Sequence, residues 1–147
     1  MTQQFLTEVR SIVEPTLVGL GFQFEAYMDN VDEGGRLGDA AFYGSKDCKI
    51  QVYRSTRAGS VNCMIAPLGA PFVFGPYDPS KKWQYLPRFA IRNGTPVEEI
   101  LADKLPVEFP TNSQQLHWVR GRIEKYFPTA HAGVLELFPP GWTAPES

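Results

Sequence analysis

The stretch from Cys48 to Pro67, CKIQVYRSTRAGSVNCMIAP, contains two segments of alternating apolar and polar residues on either side of a turn at residues 56–59. Apolar side chains at every second position predict half-buried β-strands, and a short polar turn that contains glycine predicts that the two strands pair as a hairpin. A slip of one residue would place the two apolar rows on opposite faces, so we expect a firm register. The apolar face comprises Cys48, Ile50, Val52, Val61, Cys63 and Ile65.

The register of the hairpin also predicts the state of the two cysteines. It places Val52 opposite Cys63 and Cys48 opposite Pro67. The two sulfurs are then four strand positions apart, roughly 13 Å at the usual rise, whereas bridged cysteines have Cα atoms within about 7 Å. We therefore expect two buried free thiols and no disulfide.

Apolar residues before the hairpin predict a helix and two more strands. Helical spacing predicts a helix over about residues 3–20, and Pro15 removes one of its backbone hydrogen bonds and bends it. Alternating residues then predict strands over about residues 22–28 and 39–44. Together with the hairpin, these strands form a four-stranded antiparallel meander.

The second half of the chain is predicted to be a connector followed by helices. The proline- and glycine-rich residues 68–77 contain aromatic side chains that require burial, while residues 81–92 fit either a helix or a strand. Thr95 and Glu98 fit a capping box at the start of a short helix. A longer amphipathic helix follows, and Pro128 is expected to stop or kink it.

These elements predict an α+β fold. One N-terminal helix, a four-stranded antiparallel meander and two or three C-terminal helices pack so that the helices cover one face of the sheet. The chain has 147 residues, which favours one domain. We expect this domain to span residues 1–138, with a loose C-terminal tail over residues 139–147.

The composition argues against several classes of protein. The formal net charge is −2 and the isoelectric point is about 5.7, so the strongly basic field typical of nucleic-acid-binding domains is absent from the chain as a whole. No apolar run approaches the length of a membrane span, and the first residues lack the basic segment of a signal peptide. We therefore expect a cytoplasmic protein without a membrane segment.

Residues with catalytic or metal-binding potential form no recognisable motif. The two histidines, His117 and His131, belong to no known pattern, and neither HExxH nor CxxC occurs. Cys48 and Cys63 lie on the predicted core face, where thiols are inert. We expect no catalytic residue, no metal site and no cofactor.

The charged residues are segregated along the chain. Asp29, Asp32 and Glu33 make an acidic segment that includes glycine-rich loop residues. Such a segment is expected to steer a basic protein partner toward this part of the surface, an effect that changes association rates more than affinity.

Aromatic side chains on predicted polar surfaces are candidates for partner contacts. Tyr53 and Met64 lie on the second face of the hairpin, and two alternatives stay open for them: an exposed contact patch, or burial under residues 68–77. Trp118 projects away from the apolar face of its helix beside Arg122. This pair is either a contact anchor or a cation–π pair that lies along the helix surface.

The first part of the chain also resembles a known family. The opening Phe5-Leu6-Thr7-Glu8-Val9-Arg10, the step Val13-Glu14-Pro15 and the helix exit Leu20-Gly21-Phe22 are followed by a short meander. This pattern, over residues 1–66, resembles small bacterial immunity proteins of polymorphic or contact-dependent toxin systems. The resemblance implies a non-enzymatic inhibitor that binds one cognate toxin, and it assigns no site residues.

We therefore expect a protein-binding module of the immunity type, whose partner is a basic protein such as a toxin domain. One alternative is a small enzyme with a site around His117 and Glu124 and a pocket near Trp83 and Tyr85. The second alternative function is nucleic-acid binding through the basic hairpin 46–57, with contacts from Lys46, Lys49, Tyr53, Arg54 and Arg57. The oligomeric state is a separate question, and a homodimer formed through an uncovered hairpin face stays open.

Overall fold

The computed structural model describes residues 4–56 and 58–138, except for the side chain of Asn30. The predicted C-terminal tail, residues 139–147, and Arg57 lie outside the described residues. The helices are α1 (Gln4–Ile12), α2 (Glu14–Gly19), α3 (Pro87–Arg92), α4 (Val97–Ala102) and α5 (Asn112–Leu137). The strands are β1 (Gln23–Asp32), β2 (Leu37–Gly44), β3 (Cys48–Ser55), β4 (Ser60–Pro67) and β5 (Gln84–Tyr85).

The strands form one antiparallel sheet in the order β1-β2-β3-β4-β5. The predicted α+β fold with an antiparallel sheet is confirmed, but the sheet has a fifth strand. In β5, Gln84 pairs with Ile65 and Tyr85 with Met64. A strand of two residues is too short to leave a periodic pattern in the sequence. The ambiguous residues 81–92 are therefore a short strand followed by α3.

The hairpin of β3 and β4 has the predicted register. Val52 faces Cys63, and Cys48 faces Pro67. Both cysteines are buried and free, so the prediction from strand positions is confirmed.

The predicted N-terminal helix is divided into two helices. Pro15 has no backbone N–H and cannot donate to the carbonyl of Ser11, so α1 ends at Ile12 and α2 restarts at Glu14. The exit from α2 follows the prediction: Gly21 has a left-handed φ of 96°, and the Phe22 N–H donates to the Leu17 carbonyl at 2.9 Å. This is the hydrogen bond of a Schellman motif, which ends a helix.

Helix α5 continues through a proline that was expected to stop or kink it. Pro128 lies inside α5, which runs on to Leu137. Pro128 has no N–H to donate to the carbonyl of Glu124. Both residues lie on the exposed side of the helix, where water can donate to that carbonyl instead. The helix begins with a capping box in which Thr111 and Gln114 exchange hydrogen bonds.

The predicted capping box at Thr95 is wrong. The N-cap of α4 is Pro96, and it makes no side-chain capping hydrogen bond. The Thr95 N–H instead donates to the Ala90 carbonyl at 3.0 Å, which closes the end of α3. No helix among residues 4–56 and 58–138 is long and apolar enough to cross a bilayer.

One face of the sheet packs against helices α1, α2, α3 and α5, as predicted. This main core is continuous and contains aromatic contacts such as Phe22 against Phe127, whose ring centroids are 5.6 Å apart. Its sheet residues are those of the predicted apolar face of the hairpin, with Ala41 and Tyr43 added from β2. Helix residues in this core include Phe5, Val9, Leu17, Phe89, Leu116, Val119, Ile123 and Val134.

The opposite face of the sheet carries a second apolar core. Residues 68–83, which we call the connector, cross this face and contribute Ala70, Phe74 and Trp83. They cover sheet residues Ala40, Phe42, Tyr53, Met64 and Ala66. Of the two alternatives for this face, burial is therefore correct, and the exposed patch is wrong. The hairpin face through which a homodimer was expected to form is covered by the chain itself.

The two interior glycines of α5 provide a test of the helical layer. A Cβ on Gly133 would lie 2.8 Å from Cγ of the buried Phe89 ring and closer still to Cδ1, while a Cβ on Gly121 would meet nothing. Gly133→Ala should lower the free energy of unfolding by about 1–2 kcal/mol net, because overpacking outweighs helix propensity. Gly121→Ala should raise it by about 0.5–1 kcal/mol. Urea denaturation measures both, and effects of the same sign would contradict the described packing of α3 on α5.

Candidate functional site

A buried glutamine holds the connector against the sheet. The Gln51 side chain is fully buried on the second face, and its Nε2 donates to the Val73 carbonyl at 3.1 Å. Its Oε1 accepts from the Gly75 N–H at 2.7 Å. An unpaired buried polar group costs about 1–3 kcal/mol, so displacing the connector would leave polar groups without partners.

Aromatic contacts complete this cover. The Trp83 Nε1 donates to the Pro71 carbonyl at 2.9 Å, and the ring of Phe74 packs edge-on against Tyr53 at 5.3 Å. The hydroxyl of Tyr53 is hydrogen bonded to that of Tyr85 at 2.7 Å. Burial, followed by this hydrogen bond, raises the pKa of Tyr53 above its ordinary value.

Tyr53 and Met64 cannot contact a partner where they lie. Only 4% of Tyr53 and 2% of Met64 is exposed, because the connector covers both side chains. The proposal that these two residues anchor a partner is therefore withdrawn. The sequence does not predict that these two side chains are covered, because the covering segment has no periodic pattern.

The edge of the connector forms a groove with strand β1. This groove, which we call the acidic groove, has a volume of about 510 Å³. Its most exposed aromatic residues are Phe72, with 41% of its surface exposed, and Tyr77, with 52%. It is lined by Met28, Val31, Asp32, Glu33, Gly34, Phe72, Val73, Phe74 and Tyr77.

The three predicted acidic residues have different environments. Asp29 and Asp32 are exposed on β1, and Asp32 Oδ1 also accepts from the Gly35 N–H at 2.7 Å. Glu33 is only 5% exposed, and its Oε1 accepts from Ser55 Oγ at 3.1 Å and from the Tyr77 hydroxyl at 2.9 Å. Glu33 therefore holds the connector at the β1–β2 turn, and its buried carboxylate is not placed for direct contact with a partner.

Trp118 and Arg122 form a cation–π pair, which was one of the two arrangements expected for them. The Arg122 guanidinium lies 4.3 Å from the Trp118 ring centroid. Its Nη2 also donates to the carbonyls of Ile100 and Asp103, each at 3.3 Å. The arginine thus fastens the end of α4 to α5, and most of its side chain is buried. The pair lies in the helical layer, on the other side of the sheet from the acidic groove.

The residues of the predicted enzyme site do not meet. His117 is exposed, and Glu124 Oε1 accepts from Arg120 Nε at 3.1 Å. A pocket of about 240 Å³ does lie beside Trp83 and Tyr85. That pocket is on the connector side of the sheet, and His117 is not among its lining residues.

The described residues of the basic hairpin, residues 46–56, do not present a continuous basic surface. Lys49 Nζ donates to the Ala70 carbonyl at 3.3 Å and lies 4.2 Å from the Phe72 ring centroid. Arg54 Nη2 pairs with Asp39 Oδ1 at 2.9 Å. Among the described basic residues of this hairpin, only Lys46 is exposed.

The structure also assembles a polar cluster that sequence reasoning missed. His131 Nε2 lies 3.0 Å from both carboxylate oxygens of Asp47, and its ring stacks on Phe127 with centroids 5.1 Å apart. Cys48 Sγ lies 3.5 Å from Ser45 Oγ, and Ser45 Oγ lies 3.2 Å from Asp47 Oδ1. Because 84 residues separate Asp47 from His131, no local motif could have revealed the cluster.

Electrostatics in this cluster favour a charged carboxylate and a neutral thiol. Partial burial is the largest single influence and would raise the pKa of Asp47, but the hydrogen bond and charge of His131, together with hydrogen bonds from Ser45 and Cys48, outweigh it and lower the pKa. Burial raises the pKa of Cys48 to about 12. The raised pKa of Cys48 disfavours the thiolate that a cysteine–histidine catalytic pair requires.

Comparisons with family models, curated proteins and solved structures give no match to this chain.

The buried hydroxyl of Tyr53 predicts a loss of stability in alkali. Its folded-state pKa is raised above the unfolded value of about 10, so its contribution is complete below pH ~10 and is lost as the pH rises further. Tyr53→Phe should make the fall in unfolding free energy shallower by up to about 1.4 kcal/mol per pH unit. Urea denaturation at pH 8 and pH 11 measures this, and an unchanged slope would contradict the burial of the hydroxyl.

Proposed function

We propose that this protein is a non-enzymatic protein-binding module, an inhibitor of the immunity type, and that it binds a basic protein such as a toxin domain through the acidic groove. Exposed aromatic residues next to exposed carboxylates support this assignment. Phe72 and Tyr77 offer apolar contact area, while Asp29 and Asp32 offer negative charge on the adjoining strand. This combination suits a partner segment in which Lys or Arg alternates with apolar side chains.

The aromatic residues of the groove are supported from below. Phe72 packs edge-on against buried Phe42, with centroids 5.1 Å apart, and Tyr77 stacks on Phe74 at 5.9 Å. Aromatic side chains that are already held in place lose little conformational freedom on binding, which makes them effective contact anchors. They replace Tyr53 and Met64 in the proposed interface.

The edge strand β1 determines how a partner would approach. One side of β1 pairs with β2, and the register shifts between Met28 and Val31. Irregular pairing and charged residues on an edge strand oppose the addition of another strand. The proposed contact is therefore made by side chains across the groove rather than by main-chain hydrogen bonds along the β1 edge.

The observation that carries this proposal is the position of Asp32. It lines the same groove as Phe72 and Tyr77, and its carboxylate is exposed. The long-range attraction of Asp29 and Asp32 would raise the association rate of a basic partner, and the aromatic residues would slow its dissociation.

The aromatic contact is tested with two phenylalanines. Phe72→Ala should weaken partner binding by at least about fivefold, because truncation of an anchor costs more than about 1 kcal/mol. Phe109→Ala is the matched control, since Phe109 is 85% exposed and lies in the segment before α5, outside the groove. Both variants and the native protein are used as baits in a host lysate that contains the product of the neighbouring gene, and captured proteins are quantified by mass spectrometry.

A basic protein captured by the native bait and by Phe109→Ala, but lost with Phe72→Ala, is the expected outcome. Capture that is equal for all three baits would contradict the groove as the binding site. Recovery of no protein other than the bait itself would contradict the proposed function.

The electrostatic part is tested by association kinetics with the captured partner. Asp29→Asn with Asp32→Asn should lower the association rate by about tenfold at low ionic strength and should flatten its dependence on salt. The asparagine at position 32 keeps an oxygen that can accept from the Gly35 N–H, so the β1–β2 turn is preserved. Surface plasmon resonance at two salt concentrations measures this effect, and an association rate that is independent of both carboxylates would contradict steering.

A further inference from the structure

The polar cluster at the turn between β2 and β3 has the composition of a metal site. Asp47, Cys48 and His131 each offer one donor atom, and these atoms lie within 4.8 Å of one another. We propose that the three residues bind a divalent transition-metal ion, with Zn²⁺ as the preferred ion. The site lies at the end of β2 opposite the β1–β2 turn, so this inference does not depend on the acidic groove.

The distances suit a tetrahedral ion. Bonds of about 2.0–2.3 Å from Zn²⁺ to nitrogen, oxygen and sulfur separate neighbouring donor atoms by about 3.3–3.8 Å. His131 Nε2 and the Asp47 oxygens are 3.0 Å apart, so these two ligands need to separate by only a few tenths of an ångström. Cys48 Sγ lies within 4.8 Å of them, so the sulfur approaches by up to about 1 Å when the ion binds.

The donor types select the class of ion. A thiolate is a poor ligand for Ca²⁺ or Mg²⁺, which prefer oxygen, whereas thiolate, imidazole and carboxylate together suit Zn²⁺ and Co²⁺. Deprotonated Cys48 and ionised Asp47 carry two negative charges and His131 is neutral as a ligand. The complex with a divalent cation is then electrically neutral, which suits a partly buried position.

Each ligand is held by a neighbouring contact. Ser45 Oγ accepts from the Cys48 N–H at 3.2 Å, and the Ser45 N–H donates to the Cys48 carbonyl at 2.9 Å, so the turn is fixed. The stacked Phe127 ring sets the plane of His131. Positioning of ligands by such outer contacts is characteristic of metal sites.

A cavity beside the cluster gives the ion a route to Asp47 and His131. It has a volume of about 450 Å³, and its lining includes Gly19, Gly21, Asp47 and His131. Cys48 itself is buried, and the burial that raises the pKa of its thiol means that the bound ion must displace the thiol proton. Three protein ligands leave the fourth position of a tetrahedral ion for a water molecule from this cavity.

Cobalt provides the decisive probe because a thiolate bond to Co²⁺ gives a charge-transfer absorption band in the near ultraviolet. Chelator-treated protein is titrated with Co²⁺ and then with Zn²⁺, and binding is also followed by calorimetry. We expect one ion per chain, a thiolate band with Co²⁺, and loss of that band when Zn²⁺ replaces the cobalt.

The two buried cysteines give a matched pair of variants. Cys48→Ser should abolish the thiolate band, while Cys63→Ser should retain it, because Cys63 lies on β4 and faces Val52. Asp47→Asn and His131→Gln should each weaken Zn²⁺ binding by at least about tenfold. His131 is partly exposed, so His131→Gln tests the site if Cys48→Ser does not fold, and circular dichroism identifies that case.

Several outcomes would overturn the metal site. Native protein that shows no thiolate band on addition of Co²⁺ would exclude Cys48 as a ligand. Equal Zn²⁺ affinity for the native protein and His131→Gln would exclude the histidine, and loss of the band in Cys63→Ser with its retention in Cys48→Ser would place the ion elsewhere.

Discussion

The buried amide of Gln51 joins the sheet to the segment that covers its second face. Its two hydrogen bonds go to the backbone of Val73 and Gly75, which lie at the centre of the connector. Around this amide, Phe42, Tyr53 and Met64 pack against Phe74 and Trp83. The sheet therefore has apolar cores on both faces, and the Gln51 hydrogen bonds help to hold the connector against the second one.

Because both faces of the sheet are covered, the two proposed binding sites lie at the edges of the sheet. Phe72 and Tyr77 reach the surface where the middle of the connector lies beside β1, and there Glu33 accepts a hydrogen bond from Tyr77. At the other end of β2, the β2–β3 turn meets α5 and brings Asp47 and His131 together. The two proposed sites thus arise where segments distant in sequence meet, and neither is built on an open sheet face.

The sequence predicts those parts of the fold that rest on local pattern. Alternation fixes the register of β3 and β4, including Val52 opposite Cys63, because a slip would exchange the two faces. Helical spacing and the Gly21 exit locate the N-terminal helices, although Pro15 divides them. The α+β class and the antiparallel sheet follow from these elements.

The sequence-based predictions that were wrong or missing concern contacts between segments that are distant in the sequence. Gln51 is polar and so indicates a solvated face, but its amide is satisfied by the connector and it is fully buried. Glu33 resembles a surface acid but accepts hydrogen bonds from residues 22 and 44 positions away. The cluster at His131 has no signal in the sequence, since its ligand-type residues come from a turn and a helix that pack only in the folded chain.

Amide hydrogen exchange at Gly75 tests the central claim most directly. If the connector is part of the folded core, the Gly75 N–H is bonded to a fully buried side chain and should exchange about as slowly as the amides of β3 and β4. Exchange of Gly75 at the rate of an unprotected loop amide, while the β3 and β4 amides remain protected, would contradict the account.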